Sequence, residues 1–202
     1  MNLRNVYPKI LFVIYILVWI WGAINPRYRS VWVDENILVV VFVGVLLISY
    51  RKIRLSNLSY SLIFIFMVLH TIGGHYSYAE MPLFDWIKDN YQLERNHYDR
   101  VVHFLFGVLM FYPVYEILNR IFLIPKGWRG LFIAFFIISA FKGIFESIEY
   151  GYVALRNNSL TVSNYLGEQG DSLDAIKDIS LGIFGAVVSW IVVGLGIKLK
   201  KI

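Results

Sequence analysis

Six long runs of apolar residues constrain this chain more than anything else in it. A helix needs about 20 residues to cross the hydrocarbon layer of a bilayer. No water inside that layer satisfies a backbone N–H or C=O, so a spanning segment must close its hydrogen bonds on itself. Runs of this length suit helices and not the short strands of a barrel. They extend from about Ile10 to Ile24, Asn36 to Tyr50, Leu58 to Ile72, Val101 to Ile124, Leu131 to Val153 and Ser172 to Ile197. Composition agrees: 58% of the 202 residues are apolar, 17% aromatic and 16% charged, against a soluble average of about a quarter charged. The first run is followed by the turn-forming "NPRYRS" and lacks a small-residue cleavage pattern, so it reads as a retained span. The sequence thus predicts an all-α integral membrane protein, a six-transmembrane-helix bundle. No linker or internal repeat divides residues 1–202, which read as one domain.

Orientation follows from Lys and Arg outside the spans. Eleven (Arg4, Lys9, Arg51, Lys52, Arg54, Arg120, Lys126, Arg129, Lys198, Lys200 and Lys201) fall on one side and six (Arg27, Arg29, Lys88, Arg95, Arg100 and Arg156) on the other. Both termini are therefore expected in the cytoplasm of a bacterial inner membrane. The net charge of +5 is accounted for by this bias and by lipid headgroups, and lends nothing to a nucleic-acid reading. With no Cys there is no disulfide, no thiolate nucleophile and no sulfur metal ligand.

Six spans place the end of the third, the start of the fourth, the end of the fifth and the start of the sixth on one side. Those four ends carry most of the unusual chemistry, within residues 70–185. "LHTIGGHYSYAEMP" supplies His70, His75 and Glu80; "RNHYDRVVHF" supplies His97, Asp99 and His103. "FKGIFESIEYGY" supplies Lys142, Glu146 and Glu149, and "GEQGDSLDAIKD" supplies Asp171, Asp174 and Asp178. Residues three and four apart share a helix face. The three Asp then lie within roughly 60° of one another, and Lys142, Glu146 and Glu149 group likewise. Gly182, Gly185 and Ser189 continue the Asp face and would let a neighbouring helix approach closely.

Placing a charge near lipid costs about 2.5–3.5 kcal/mol on insertion scales. Six acids, Asp99, Glu146, Glu149, Asp171, Asp174 and Asp178, are therefore expected to be paired, hydrated or bound to metal, with only Lys142, Lys177 and Arg100 as fixed cations in these motifs. Plainer readings stand beside the functional ones. First-turn acids oppose the positive end of the helix dipole, which covers Asp171, and Asp174 at the edge of its range, but not Asp178 two turns inside. Asp99 and His103 can be an N-terminal acid and a packed imidazole, and Lys142 with Glu146 an internal salt bridge. His70 and His75 lie about 140° apart on a helix that Gly73 and Gly74 are expected to end. His70 reads as buried and hydrogen-bonded, His75 as the functional one, and His97 as a loop residue. Glu116 and Arg120 read as a plain i, i+4 ion pair. The segment "SYAEMPLFDWIKDNYQLERNHYD" reads as an interfacial amphipathic lid over the pocket.

These four motifs resemble the YjdF-like family of bacterial multi-pass inner-membrane proteins, whose function is not established. The resemblance covers roughly residues 70–185 and departs from the family pattern at Arg100, Tyr150, Leu173 and Ile176, while the acids and His103 are kept. More remotely, the order Asp-x-x-x-His, Glu, then Asp on a late helix is similar to VanZ-like membrane proteins, which implies a link to envelope lipids or glycans and assigns no reaction.

The leading expectation is a membrane-embedded enzyme acting on an envelope lipid or lipid-linked phosphorylated substrate at the extracytoplasmic face. Its metal set would be His103, Glu146, Glu149, Asp171, Asp174 and Asp178, holding divalent Mg, Mn, Zn or Ca. His75 or Asp99 would move the proton, and Lys142 would stabilise negative charge. A proton- or cation-coupled transporter or flippase is the alternative, and a non-catalytic accessory protein a third.

Overall fold

In a computed structural model of the chain, residues 3–156 and 169–199 are described. Gly167 and Glu168 of the last polar motif, and the Lys200–Lys201 tail counted for orientation, lie outside them. The helices are α1 (Leu3–Ala23), α2 (Arg29–Ser49), α3 (Asn57–Tyr76), α4 (Pro82–Tyr91), α5 (Tyr98–Arg120), α6 (Trp128–Arg156) and α7 (Asp174–Lys198). All but α4 are long and apolar enough to span a bilayer, so the six expected spans are present and the bundle is all-helical among the described residues. Their outer faces carry exposed Leu17, Val40, Val41, Ile48, Phe136, Ile191 and Val192. Apolar surface on this scale is what hydrocarbon covers and water would not tolerate.

Two boundaries differ from the sequence reading for identifiable reasons. Helix α2 starts at Arg29, ahead of the apolar run, so Asp34, Glu35 and Asn36 lie inside it and are buried. A hydropathy run stops at such residues although the helix does not. Helix α3 continues through Gly73 and Gly74 to Tyr76 and ends at Ser77, a left-handed residue with φ 57°. The two glycines make room instead of ending the helix. A Cβ on Gly73 would stand 2.3 Å from the Tyr78 ring, and one on Gly74 would touch Glu35 at 3.6 Å.

Helix α5 is the centre of the bundle: more than half of its span is buried, against a third or less for each other span. It packs against α3, α6 and α7. Its contact with α7 is backbone on backbone. A Cβ on Gly107 would lie 2.0 Å from Gly182 O, and one on Gly185 would lie 2.1 Å from Phe104 O. The Ser189 hydroxyl donates across the same seam to Val108 O at 2.6 Å. Phe111, Ala134, Ile138 and Ala186 fill the core beside it with almost no exposed surface.

At the opposite end from the acidic motifs, Glu116 of α5 reaches the start of α3. It accepts from Ser56 N–H at 2.9 and 3.0 Å, from the Ser56 hydroxyl at 2.8 Å, and from the Ser59 hydroxyl. Its ion pair with Arg120 is present at 2.7 Å. Glu116 is therefore more than half of an i, i+4 pair: it satisfies helix-start donors that lipid could not.

A Gly107→Leu exchange should abolish the α5–α7 approach and destabilise the bundle by more than about 3 kcal/mol, because backbone cannot yield as side chains do. Gly44→Ala, where an added Cβ meets nothing within 4 Å, should be nearly neutral. Thermal unfolding in detergent compares the two.

Candidate functional site

The start of α5 brings a carboxylate and an imidazole together one turn apart. Asp99 Oδ1 lies 3.0 Å from His103 Nε2, and both side chains are buried. The other face of the ring meets α6. Glu146 Oε1 lies 3.2 Å from His103 Nδ1, and the Lys142 ammonium contacts both that nitrogen and Glu146. The stem of Lys142 runs over Gly182 of α7, where a Cβ would stand 2.5 Å from Lys142 Cγ. The glycine seam that joins α5 to α7 thus also makes space for this lysine.

Asp178 completes the group from α7. One of its carboxylate oxygens, a ligand atom of Asp99 and one of His103 all lie within 4.8 Å of one another. Asp178 is 2% exposed, and its Oδ1 has no hydrogen-bond partner among the described residues. An orphaned, buried carboxylate oxygen is costly unless something absent from the protein chain answers it.

The expected Asp trio is divided. Asp171 precedes α7, whose first residue is Asp174, so the helical phase that grouped three acids applies to two. Asp171 Oδ2 accepts from Lys177 Nζ at 2.6 Å and from Arg100, and Leu173 N–H donates to Oδ1 at 3.1 Å. Lys177 first, with the Leu173 amide and Arg100, holds the Asp171 carboxyl down at about 2. Asp174 is buried against Arg95, with Arg100 at 3.5 Å. Arg95, omitted from the sequence count of pocket cations, is therefore one of its members. Neither Asp171 nor Asp174 belongs to the Asp99–His103–Asp178 group, because a nearer cation occupies each. His97, beside these arginines, is held below the usual imidazole range by burial and then by Arg100 and Arg95.

Glu149 is buried on α6, and no hydrogen bond from a described residue reaches it. Asp99 and Glu146 contact His103, Glu146 also contacts Lys142, and Asp178 lies within reach of Asp99 and His103, so these acids outnumber the cations beside them among the described residues. Protons or a cation must balance the remainder.

His75 is not brought to this cluster. Its Nδ1 donates to Gly22 O at 3.0 Å and its ring stacks on Trp21 with centroids 4.6 Å apart, so it pins α3 to α1. Because α3 does not break at its glycines, the helix carries His75 to a different face from the one expected. His70 is largely buried and hydrogen-bonded, as expected. Its Nδ1 is hydrogen-bonded to the Tyr78 hydroxyl at 2.5 Å, and its Nε2 faces Glu35 at 3.7 Å. Burial, then the Glu35 and Asp99 charges, pushes the Tyr78 phenol well above its usual range, so it keeps its proton. This Glu35–His70–Tyr78 branch was missed. The stretch "VWVDENILVV" signalled it: three polar residues start an apolar run on the side where the other acidic helix ends gather.

Helix α4 sits over this end. It has no buried residue and presents exposed Leu83, Trp86 and Tyr91. Asn96, fully buried, ties it down: its amide donates to Met81 O at 3.1 Å and Asp85 Oδ1 at 3.0 Å. The Asn96 backbone exchanges two hydrogen bonds with the Gln169 side chain, at 2.9 and 3.0 Å. One asparagine thereby fixes the lid, the start of α5 and the approach to α7.

Lys142→Met should destabilise the protein by about 3–5 kcal/mol by leaving Glu146 buried without its partner. The double exchange Lys142→Met with Glu146→Gln should recover much of that loss. Thermal unfolding of the four proteins in one double-mutant cycle reads the coupling.

A family model described as a predicted membrane protein, DUF2238, matches residues 7–198. The chain is 29% identical over 173 residues to the inner membrane protein YjdF of Escherichia coli strain K12, covering 86% of this chain and 82% of that protein. No solved structure matches.

Proposed function

The chain belongs to the DUF2238 family of predicted membrane proteins, and on that footing we propose a metal-dependent enzyme of the bacterial inner membrane. It acts at the extracytoplasmic face on a lipid-linked or otherwise phosphorylated envelope substrate. The observation that carries this reading is the orphaned Asp178 Oδ1, buried within reach of Asp99 and His103. Two carboxylates and one imidazole suit Mg, Mn, Zn or Ca. A bound divalent cation supplies Lewis acidity toward a phosphoryl or carbonyl oxygen and lowers the pKa of bound water.

The surrounding residues supply the rest. Lys142 and Glu146 both meet His103 at Nδ1, and Nε2 faces Asp99. Were Nε2 to hold a cation together with Asp99 and Asp178, the ring N–H would sit at Nδ1, 3.2 Å from Glu146 Oε1 as its acceptor. The result is a carboxylate–histidine pair of the kind that orients metal ligands. Lys142 keeps Glu146 charged and in place, an orienting role in addition to the charge stabilisation expected from sequence. Glu149, buried and without a described donor, is the proton acceptor for an attacking water. Helix α4 excludes bulk solvent, and its aromatic residues sit at headgroup depth.

Proton-coupled transport is the second reading, and the Glu35–His70–Tyr78 branch is the observation that favours it. It needs a route through the bundle. Glu116, the buried acid at the far end, is committed to capping α3, which leaves the titratable groups at one end.

Elemental analysis of gently purified protein tests the metal reading. A stoichiometric divalent metal should be present, be lost in Asp178→Ala and Asp99→Ala, and remain in Glu94→Gln, an exposed control. Its affinity should rise with pH, since the carboxylates of Asp99 and Asp178 and the ligating nitrogen of His103 must be free of protons to hold it. Added metal at 100 times its Kd should stabilise the fold by about 2.7 kcal/mol. A metal-free wild type, unmoved by chelator or by any of the four cations, overturns the reading.

A further inference from the structure

The mouth of the pocket has the opposite electrostatic character from its interior. Three cations, Arg95, Arg100 and Lys177, converge on a single atom, Asp171 Oδ2. Lys177 Nζ is 2.6 Å away, Arg95 Nη1 is 3.6 Å away, and Arg100 Nη2 is in direct contact. Leu173 N–H, at the start of α7, donates to the other oxygen of the same carboxylate. Guanidinium groups, an ammonium and a helix-start amide form the donor set by which proteins hold phosphate. Here a side-chain carboxylate occupies it.

Three further observations separate this cluster from ordinary surface ion pairing. Among the described residues three cations, Arg95, Arg100 and Lys177, meet two acids, Asp171 and Asp174, at the mouth. Arg100 is only 19% exposed at its side chain, and its Nε–H is buried without a hydrogen-bond partner. Asp171 stands in the turn before α7, outside the helix, so its carboxylate can leave without unwinding a helical turn.

We propose that Arg100 and Lys177, backed by Arg95, form a phosphate-recognition subsite at the entrance to the pocket, which Asp171 fills as an internal stand-in until a phosphate displaces it. The ligand is a phosphate monoester or diester presented at headgroup depth, and the positive rim delivers it to the carboxylate and histidine interior. This assignment rests on the enzyme reading for its purpose, but the subsite needs no metal in order to bind. Arg100 is the specificity-determining contact through its free Nε–H, and Asp171 sets the threshold that an incoming anion must exceed.

Calorimetric titration of the full chain in detergent, with EDTA present, isolates this subsite from the metal site. The probes are inorganic phosphate, dihexanoyl phosphatidic acid below its micellar concentration, and dihexanoyl glycerol as the uncharged control. Asp171→Asn, which removes the internal competitor, should tighten phosphate binding about tenfold. Arg100→Gln should weaken it by a similar factor. A purely structural Asp171 would give no gain, so unchanged or weaker binding in Asp171→Asn overturns the proposal. If Arg100→Gln fails to fold, Lys177→Gln at the half-exposed position replaces it, with weakening again expected and full retention overturning it. Tighter binding of the phosphatidic acid than of phosphate identifies a lipid headgroup as the source, and equal binding a soluble phosphate; both support the subsite. Binding of the glycerol as tight as that of the phosphatidic acid overturns it. Metal content measured on each preparation before EDTA is added keeps the two readings apart, since a protein that is metal-free at that stage, is unmoved by added cations and still binds phosphate sinks the enzyme reading alone.

Discussion

The backbone contact between α5 and α7 is the constraint on which the rest of the structure depends. Gly107, Gly182 and Gly185 bring two helices so close that an added Cβ would overlap main-chain atoms. In lipid, helices gain little by hiding apolar side chains from one another, so close packing and hydrogen bonds across the seam must hold them. Ser189 supplies one such bond. The same closeness sets Asp178 beside Asp99 and His103, and Gly182 leaves the space through which Lys142 reaches His103. A seam that looks structural thereby fixes the geometry of the buried polar group.

Charge is arranged in two layers at this end of the bundle. The outer layer pairs Asp171 and Asp174 with Arg95, Arg100 and Lys177. The inner layer carries the excess of acids, with Lys142 shared between Glu146 and His103. On the proposed reading, arginines and a lysine placed over an acidic interior would draw an anionic ligand toward the buried carboxylates and whatever cation they held. Asn96 and Gln169 hold the two layers and the α4 lid in register through hydrogen bonds alone.

Much of the architecture was legible in the residues because lipid leaves a chain few choices. A run of some 20 apolar residues must be a helix there, and six such runs dictate which ends share a side. The pairing of Asp99 with His103 and of Lys142 with Glu146 was readable for the same reason: i, i+4 neighbours meet on any helix. Legibility failed where a polar residue lies inside a helix or a turn stands outside one. Asp34 and Glu35 look like a loop before an apolar run, and Gly73 with Gly74 looks like a stop. Asp171 looks helical and precedes the helix.

By itself, then, the sequence determined the six spans, the side on which the acids gather, and the local pairs along α5 and α6. Only the tertiary structure decided which acids share a pocket and which meet a cation first. Asp171, Asp174 and Asp178 are alike in type and evenly spaced, yet Arg100 and Lys177 take the first, Arg95 the second, and none of them reaches the third. That partition depends on where Arg95, 79 residues before Asp174 in the chain, is set down in space. Helical periodicity carries information over a turn or two, and contacts at that separation follow from how the glycine seam and Asn96 dock the elements.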